Sequence, residues 1–110
     1  MGAHGELAAG RWQTLTLAEQ LGNIGSEVGR AIRARQRNDA PRFDGAFDRA
    51  LELFDLSLAD RRWNGPRLRE IARAREVTCD FLVGENDYGS TGGSLDRYFL
   101  QFALAARRNR

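Results

Sequence analysis

Arginine side chains around one tryptophan are the densest set of groups in this chain that could bind a ligand. Six arginines fall between positions 61 and 75, where Glu70 is the only acid, and three more fall between positions 107 and 110. Guanidinium groups bind phosphates through paired hydrogen bonds, and an indole ring can stack on a base. If the two stretches meet at one end of the fold, they predict an interface for nucleic acid, with RNA as the expected partner. Its candidate residues are Arg61, Arg62, Trp63, Arg67, Arg107, Arg108 and Arg110.

Acidic residues balance part of this charge. Arg69 and Arg73 precede Glu76 and Asp80 at helical spacing, which predicts a solvated face of ion pairs. The chain has 17 basic residues, all arginine, against 15 acidic ones, so its net charge is only +2. We therefore expect a local contact with phosphates rather than strong nonspecific binding.

A pair of carboxylates offers a different chemistry. Glu52 and Asp55 are three residues apart in a predicted helix, and carboxylates are the protein ligands that Mg²⁺ prefers. The stretch 50–55 (ALELFD) resembles the second metal-binding motif of the all-α nucleotide pyrophosphohydrolases of the MazG type. The first motif of that family is Glu-x-x-Glu, whereas Glu27-x-x-Arg30 here replaces the second acid with a base. A magnesium-dependent nucleotide pyrophosphohydrolase is thus the alternative function.

Other catalytic sets are incomplete in this sequence. The only histidine is His4 and the only cysteine is Cys79, which leaves no di-iron motif, no cysteine-based zinc site and no nucleophile–histidine pair. We expect no cofactor, and the sequence identifies no small-molecule substrate. The lone cysteine and the lack of an apolar run of ~20 residues predict a cytoplasmic protein that does not enter a membrane.

Four stretches have the apolar spacing of amphipathic helices, and none alternates like a strand. The predicted helices cover residues 16–36, 40–63, 66–83 and 92–108. Thr16 and Asp39 are suited to cap the first two helices. We therefore predict an all-α domain at 15–110, an antiparallel up-down four-helix bundle, after a flexible segment at 1–14 in which Trp12 marks where the chain first docks.

The third predicted helix carries a charged side chain within its apolar stripe. That stripe consists of Leu68, Ile71, Ala72, Thr78, Cys79 and Leu82. Arg75 projects from its middle at ~100° per residue, so a buried guanidinium there needs a carboxylate or carbonyl partner from another element. The candidate partners on neighbouring helices are Glu27, Asp48 and Asp55. Together with Arg75 they form a predicted buried polar network.

Three glycines, Gly22, Gly25 and Gly29, lie along one side of the first predicted helix. Each costs about 1 kcal/mol in a helix interior relative to alanine. We predict that they let another helix approach closely, and the alternative is that they give a ligand access to the backbone. Apolar residues off the core stripes, Leu53 and Leu56 in the second helix and Leu100 and Leu104 in the fourth, predict a homo-oligomer.

Several segments resemble a widespread family of small, uncharacterised bacterial and archaeal helical proteins. The matching segments are residues 18–28, 49–56, 75–81 and 98–103. This resemblance implies a helical fold and no catalytic residues. Residues 23–27 (NIGSE) are also similar to the Asn-Ile-Ala-Glu-Gly segment of four-helix proteins encoded in ribosomal-RNA intervening sequences. The sequence is thus interpreted as a non-enzymatic binding or scaffold protein that self-associates and contacts RNA.

Overall fold

A computed structural model describes residues 10–108 of the chain, and within that range it is helical without any β-strand. The four long helices are α1 (Leu17–Gln36), α2 (Ala40–Leu58), α3 (Gly65–Val83) and α4 (Gly92–Arg108). Residues 10–12 form a further helical stretch before α1. The predicted all-α class is confirmed. The predicted flexibility of residues 1–9 concerns a part of the chain outside the described range.

Side-chain caps fix where the first two helices begin. The Thr16 hydroxyl accepts from the Glu19 N–H at 3.1 Å, and the Glu19 carboxylate accepts from the Thr16 N–H at 2.9 Å, so the capping box is present. At α2, the Asp39 carboxylate accepts from the Arg42 N–H at 3.2 Å and Pro41 occupies the first turn. Both starts agree with the prediction.

Helix α2 ends at Leu58, five residues before the predicted end at position 63. The cause is Asp60, whose carboxylate accepts from the N–H of Arg62 at 3.1 Å. The Asp60 carbonyl accepts from the N–H of Trp63 at 3.1 Å. An aspartate that binds the backbone just after itself competes with helical hydrogen bonding and turns the chain. The predicted range 40–63 was therefore too long.

Helix α1 is the central element, packing extensively against α2 and α4, whereas α3 packs mainly against α2. The residues that α1 contributes to the core are Leu21, Ile24, Val28 and Ile32, all buried. Around them lie Phe54 of α2, Ile71 of α3 and Phe99 of α4. Trp12 is also buried, so the packed domain begins no later than that residue rather than at residue 15.

Two of the three glycines bring α1 against α4. A Cβ built on Gly22 would lie 3.2 Å from the Ala103 Cα, and one on Gly25 would overlap the Phe99 side chain. The predicted close approach is present at these two positions. At Gly29 a Cβ would instead meet the Arg33 guanidinium of the same helix, at 3.1 Å. The prediction of interhelical packing was thus wrong for Gly29, because the Arg33 side chain of the same helix covers the backbone there.

Leu53 and Leu56, predicted to lie off the core, are partly buried and pack against it. Leu100 and Leu104 of α4, in contrast, are 52% and 45% exposed. Among residues 10–108, none of the helices combines the length and the apolar character that crossing a lipid bilayer requires.

Candidate nucleic-acid interface

A fully buried glutamine, Gln20, organises the end of the molecule at which α2 gives way to α3. Its side-chain oxygen accepts from the Ser57 hydroxyl at 2.8 Å and from the Trp63 indole N–H at 2.9 Å. Its amide nitrogen donates to the Trp12 carbonyl at 2.9 Å and to the Asp60 carboxylate at 3.0 Å. All four hydrogen-bonding positions of the amide are filled, so burial of this polar group is fully compensated.

Asp60 is only 3% exposed, and its carboxylate forms an ion pair with Arg62. The Arg62 guanidinium donates to both carboxylate oxygens, from Nε at 3.0 Å and from Nη2 at 2.7 Å. These hydrogen bonds outweigh burial and, with help from Gln20, lower the pKa of Asp60 to about 2. Arg62 Nη2 also donates to the Leu15 carbonyl at 2.7 Å. Arg62 therefore closes a polar network, and its place in the predicted RNA interface is corrected.

Trp63 is also corrected as a candidate for base stacking. Its indole N–H is bound to Gln20, and the ring is half-buried against the core. The Arg62 guanidinium carbon lies 4.4 Å from the ring centroid, in cation–π geometry. The Trp63 ring is thus already in contact with Arg62 and the core.

The remaining predicted arginines at this end are exposed. Arg61, Arg67, Arg107 and Arg108 make no ion pair with any residue between 10 and 108, and Arg110 lies outside the described range. Leu15 connects the two predicted stretches, because its carbonyl binds Arg62 while its side chain lines a surface depression with Arg107 and Glu19.

One more arginine belongs to this surface and was not among the predicted site residues. Arg11 is exposed and directly precedes Trp12, whose indole N–H donates to the Ser57 hydroxyl at 2.9 Å. The signal was present in the sequence, since Trp12 was expected to dock the chain there. We call the set of exposed arginines at this end the arginine end. It consists of Arg11, Arg61, Arg67, Arg107 and Arg108.

Arg75 lies beside the apolar stripe of α3 rather than within it. The buried residues of α3 are Ile71, Ala74, Thr78 and Leu82, and Ala74 shifts the stripe away from Arg75. The Arg75 side chain is 38% exposed, and its Nε lies 3.7 Å from Asp55, which is 67% exposed. The two side chains thus form a loose ion pair, in which Arg75 Nε is buried and has no hydrogen-bond partner among the described residues.

The buried carboxylate of the predicted network, Glu27, has other partners. It accepts from Arg30 Nη1 and from Arg49 Nε, each at 2.8 Å. Burial disfavours its charge, but these two hydrogen bonds lower its pKa below the usual value. Asp48 is exposed and pairs with no described residue. Of the candidate partners, Asp55 pairs with Arg75, whereas Glu27 is satisfied by arginines of α1 and α2, so the predicted buried network of all four residues is corrected.

The two carboxylates of the alternative hypothesis, a nucleotide pyrophosphohydrolase, lie on the surface. Glu52 and Asp55 are both exposed on α2, and Asp55 is oriented towards Arg75. Within residues 10–108 there is no group of three or more His, Cys, Asp or Glu side chains arranged to hold a metal ion. The geometry around Glu52 and Asp55 therefore adds no support to the pyrophosphohydrolase hypothesis.

Comparison with known proteins leaves the family open. No family model, no curated protein and no solved structure matches the chain. The resemblances of short segments to known families thus stay predictions.

Proposed function

We propose that this protein is a non-enzymatic helical binding module that contacts RNA phosphates through the arginine end. The observation that carries the proposal is that five exposed arginines share one end without an ion pair to a described residue. The buried acid at this end, Asp60, is already neutralised by Arg62. Free guanidinium groups attract phosphates and bind them through paired hydrogen bonds.

The proposal takes the four helices as an antiparallel up-down bundle. Pairs along α1 and α2 support it, because Gln20 meets Ser57 while Glu27 meets Arg49. The close approaches between α1 and α4 run in the same opposed sense, Gly22 with Ala103 and Gly25 with Phe99. In this topology the beginning of α1, the α2–α3 turn and the last turn of α4 lie at one end. That arrangement is what assembles the arginine end from three separate stretches.

Fluorescence anisotropy with a labelled single-stranded RNA at low salt tests the proposal. The variant R107Q/R108Q should bind about tenfold more weakly or worse, since each lost charge-assisted contact costs about 1.5 kcal/mol or more. The matched control is R33Q/R37Q, which removes the same charge from exposed positions of α1 away from this end. The control should keep wild-type affinity. Absence of RNA binding by the wild type, or equal losses in both variants, would contradict the proposal.

Self-association is a second part of the proposal. Leu100 and Leu104 stand one turn apart on α4 and are among the most exposed large apolar side chains between residues 10 and 108. A second copy presents the same pair, so a two-fold contact would bury four leucines against one another. Light scattering coupled to size exclusion should give the mass of an oligomer for the wild type and of a monomer for L100Q/L104Q. The control L68Q changes a leucine that is exposed on α3 and should leave the mass unchanged.

We expect the protein to act in the cytoplasm. Its single cysteine, Cys79, is half-buried in α3 and has no second cysteine with which to pair. Burial raises the pKa of its thiol, so it stays protonated and unreactive at neutral pH. Such a cysteine fits a reducing compartment, where RNA is also present.

A further inference from the structure

A second basic surface lies between the C-terminal half of α1 and the N-terminal half of α2. It surrounds a cavity of about 340 Å³, which we call the arginine groove. Five guanidinium groups line the groove, those of Arg30, Arg33, Arg37, Arg42 and Arg49. A volume near 340 Å³ is at the small end of the range for ligand sites, which suits a compact ligand.

Helical spacing explains why these side chains converge. Arg30, Arg33 and Arg37 recur at three and seven residues and so lie on one face of α1. Arg42 and Arg49 are seven residues apart on the facing side of α2. The sequence prediction missed this surface because the two sets of arginines are separated by the α1–α2 turn.

Glycines lie next to two of these guanidinium groups, and of the two glycines only Gly45 lines the groove. A Cβ on Gly29 would lie 3.1 Å from Arg33 Nη1, and a Cβ on Gly45 would lie 3.4 Å from Arg49 Nη1. The two side chains therefore fold back over bare helical backbone. Gly45 and Ala46 also line the cavity, where larger side chains would fill it.

The groove contains more positive charge than its carboxylates balance. Glu27 binds Arg30 and Arg49, each at 2.8 Å. Asp39 pairs with Arg42 at 3.1 Å. The two carboxylates thus pair with three of the five arginines. Arg33 and Arg37 have no ion pair with a residue in the described range. The groove is left with an excess of three positive charges and two unpaired guanidinium groups.

The exposed acids of α2 lie outside the groove. Asp44, Asp48 and Glu52 are exposed on α2, and none of them lines the cavity. A long polyanion laid across α2 would meet their repulsion, whereas an anion confined between α1 and α2 would not. Because Arg30 and Arg49 are held in place by Glu27, part of the site is also preorganised.

We propose that the arginine groove binds a compact polyphosphate, a chain of two or three phosphoryl groups, either free or as part of a nucleotide. Arg33 and Arg37 supply the unpaired guanidinium forks for the phosphoryl oxygens, and Arg30 and Arg49 contribute the N–H groups that Glu27 leaves unused. This site goes beyond the RNA interface of the proposed function and shares no residue with the arginine end.

Isothermal titration calorimetry with the full chain at constant ionic strength tests the site, using inorganic tripolyphosphate as the probe. Wild-type protein should bind it with a stoichiometry of about one per chain, given one groove, and R33Q/R37Q should lose about tenfold or more in affinity. The variant G45L keeps every charge but fills the cavity, so it should also lose binding. The end variant R107Q/R108Q should bind tripolyphosphate like the wild type, which separates this site from the RNA interface.

Parallel titrations with a nucleoside triphosphate identify the source of the phosphate chain. If the nucleoside triphosphate binds with the affinity of tripolyphosphate, the groove recognises the phosphate chain alone. If it binds more tightly, the groove recognises a nucleotide. Both results support the site. Orthophosphate and the unphosphorylated nucleoside should bind far more weakly. Equal binding of orthophosphate and tripolyphosphate, or affinity unchanged in folded R33Q/R37Q and G45L, would overturn the proposal.

Discussion

Gln20 donates a hydrogen bond to Asp60 at 3.0 Å, and through this contact α1 holds the turn that follows α2. The oxygen of the same amide accepts hydrogen bonds from Ser57 and Trp63, so one buried side chain connects three stretches of the chain. A fully satisfied network of this kind is worth more than its separate bonds, because each unpaired member would remain buried and costly. The arginine end is built on this network.

Replacing Gln20 should therefore destabilise the protein strongly. Gln20→Leu keeps most of the volume but leaves Ser57, Trp63 and Asp60 without their amide partner, which should cost about 3 kcal/mol or more of unfolding free energy. Urea denaturation followed by circular dichroism measures the loss. The control Gln101→Leu changes an exposed glutamine of α4 and should stay within about 0.5 kcal/mol. Similar midpoints for the two variants would show that the network does not stabilise the fold.

Protonation of Asp60 at acidic pH should lower the unfolding free energy. Its pKa lies at about 2 in the folded protein against 3.8 ordinarily, so its ionised form adds stability that is present above pH about 4 and lost as the pH falls towards about 2. The shift corresponds to about 2 kcal/mol. Urea unfolding at a series of pH values should show this loss in the wild type, whereas D60N should lack that component. Parallel pH profiles for the two proteins would contradict the assignment.

Replacing Arg62 should destabilise the protein more than replacing Arg75. The sequence predicts the reverse, because it places Arg75 in a buried network and Arg62 at an exposed interface. Arg62→Ala removes the ionic partner of a buried carboxylate and should cost about 2 kcal/mol or more. Arg75→Ala removes a partly exposed guanidinium whose 3.7 Å pair with Asp55 includes no hydrogen bond, and it should cost less than about 1 kcal/mol. Thermal melts of the two variants rank them directly. A larger loss for Arg75→Ala would place that guanidinium inside the core after all.

The glycines of α1 provide a packing test. Gly25→Ala should destabilise by about 1 kcal/mol or more, because overpacking against Phe99 exceeds the gain in helix propensity. Gly29→Ala adds a methyl group next to the mobile end of Arg33 and should be neutral or stabilising by up to about 1 kcal/mol. The unfolding free energy should thus fall for Gly25→Ala and stay level or rise for Gly29→Ala, and a loss at Gly29 as large as at Gly25 would refute this packing.

Local rules predicted the helix starts, whereas the apolar stripe of α3 was predicted only in part, since Leu68 and Ala72 are exposed. Thr16 and Asp39 cap as expected because a cap depends only on neighbouring residues. The end of α2 and the face of Arg75 depended on tertiary partners. Asp60 turns the chain because Gln20 and Arg62 hold it, and one alanine, Ala74, decides which side of α3 is buried.

The candidate site shows the same division. Arginine spacing predicted a basic end, but which guanidinium groups are free depends on carboxylates distant in sequence. Arg62 is bound by a buried acid, whereas Arg107 and Arg108 are exposed. The arginine groove could not be predicted without the pairing of α1 with α2, since neither helix alone forms a concave surface.

The salt dependence of RNA affinity measures how many phosphates the arginine end contacts. For single strands, each phosphate contact contributes about −0.7 to the slope of log K against log salt concentration. Removing Arg61, Arg67, Arg107 and Arg108 together by glutamine substitution should therefore flatten the slope by about 3 relative to the wild type. A slope that R61Q/R67Q/R107Q/R108Q leaves unchanged, in a variant that still folds, would contradict an RNA interface at the arginine end.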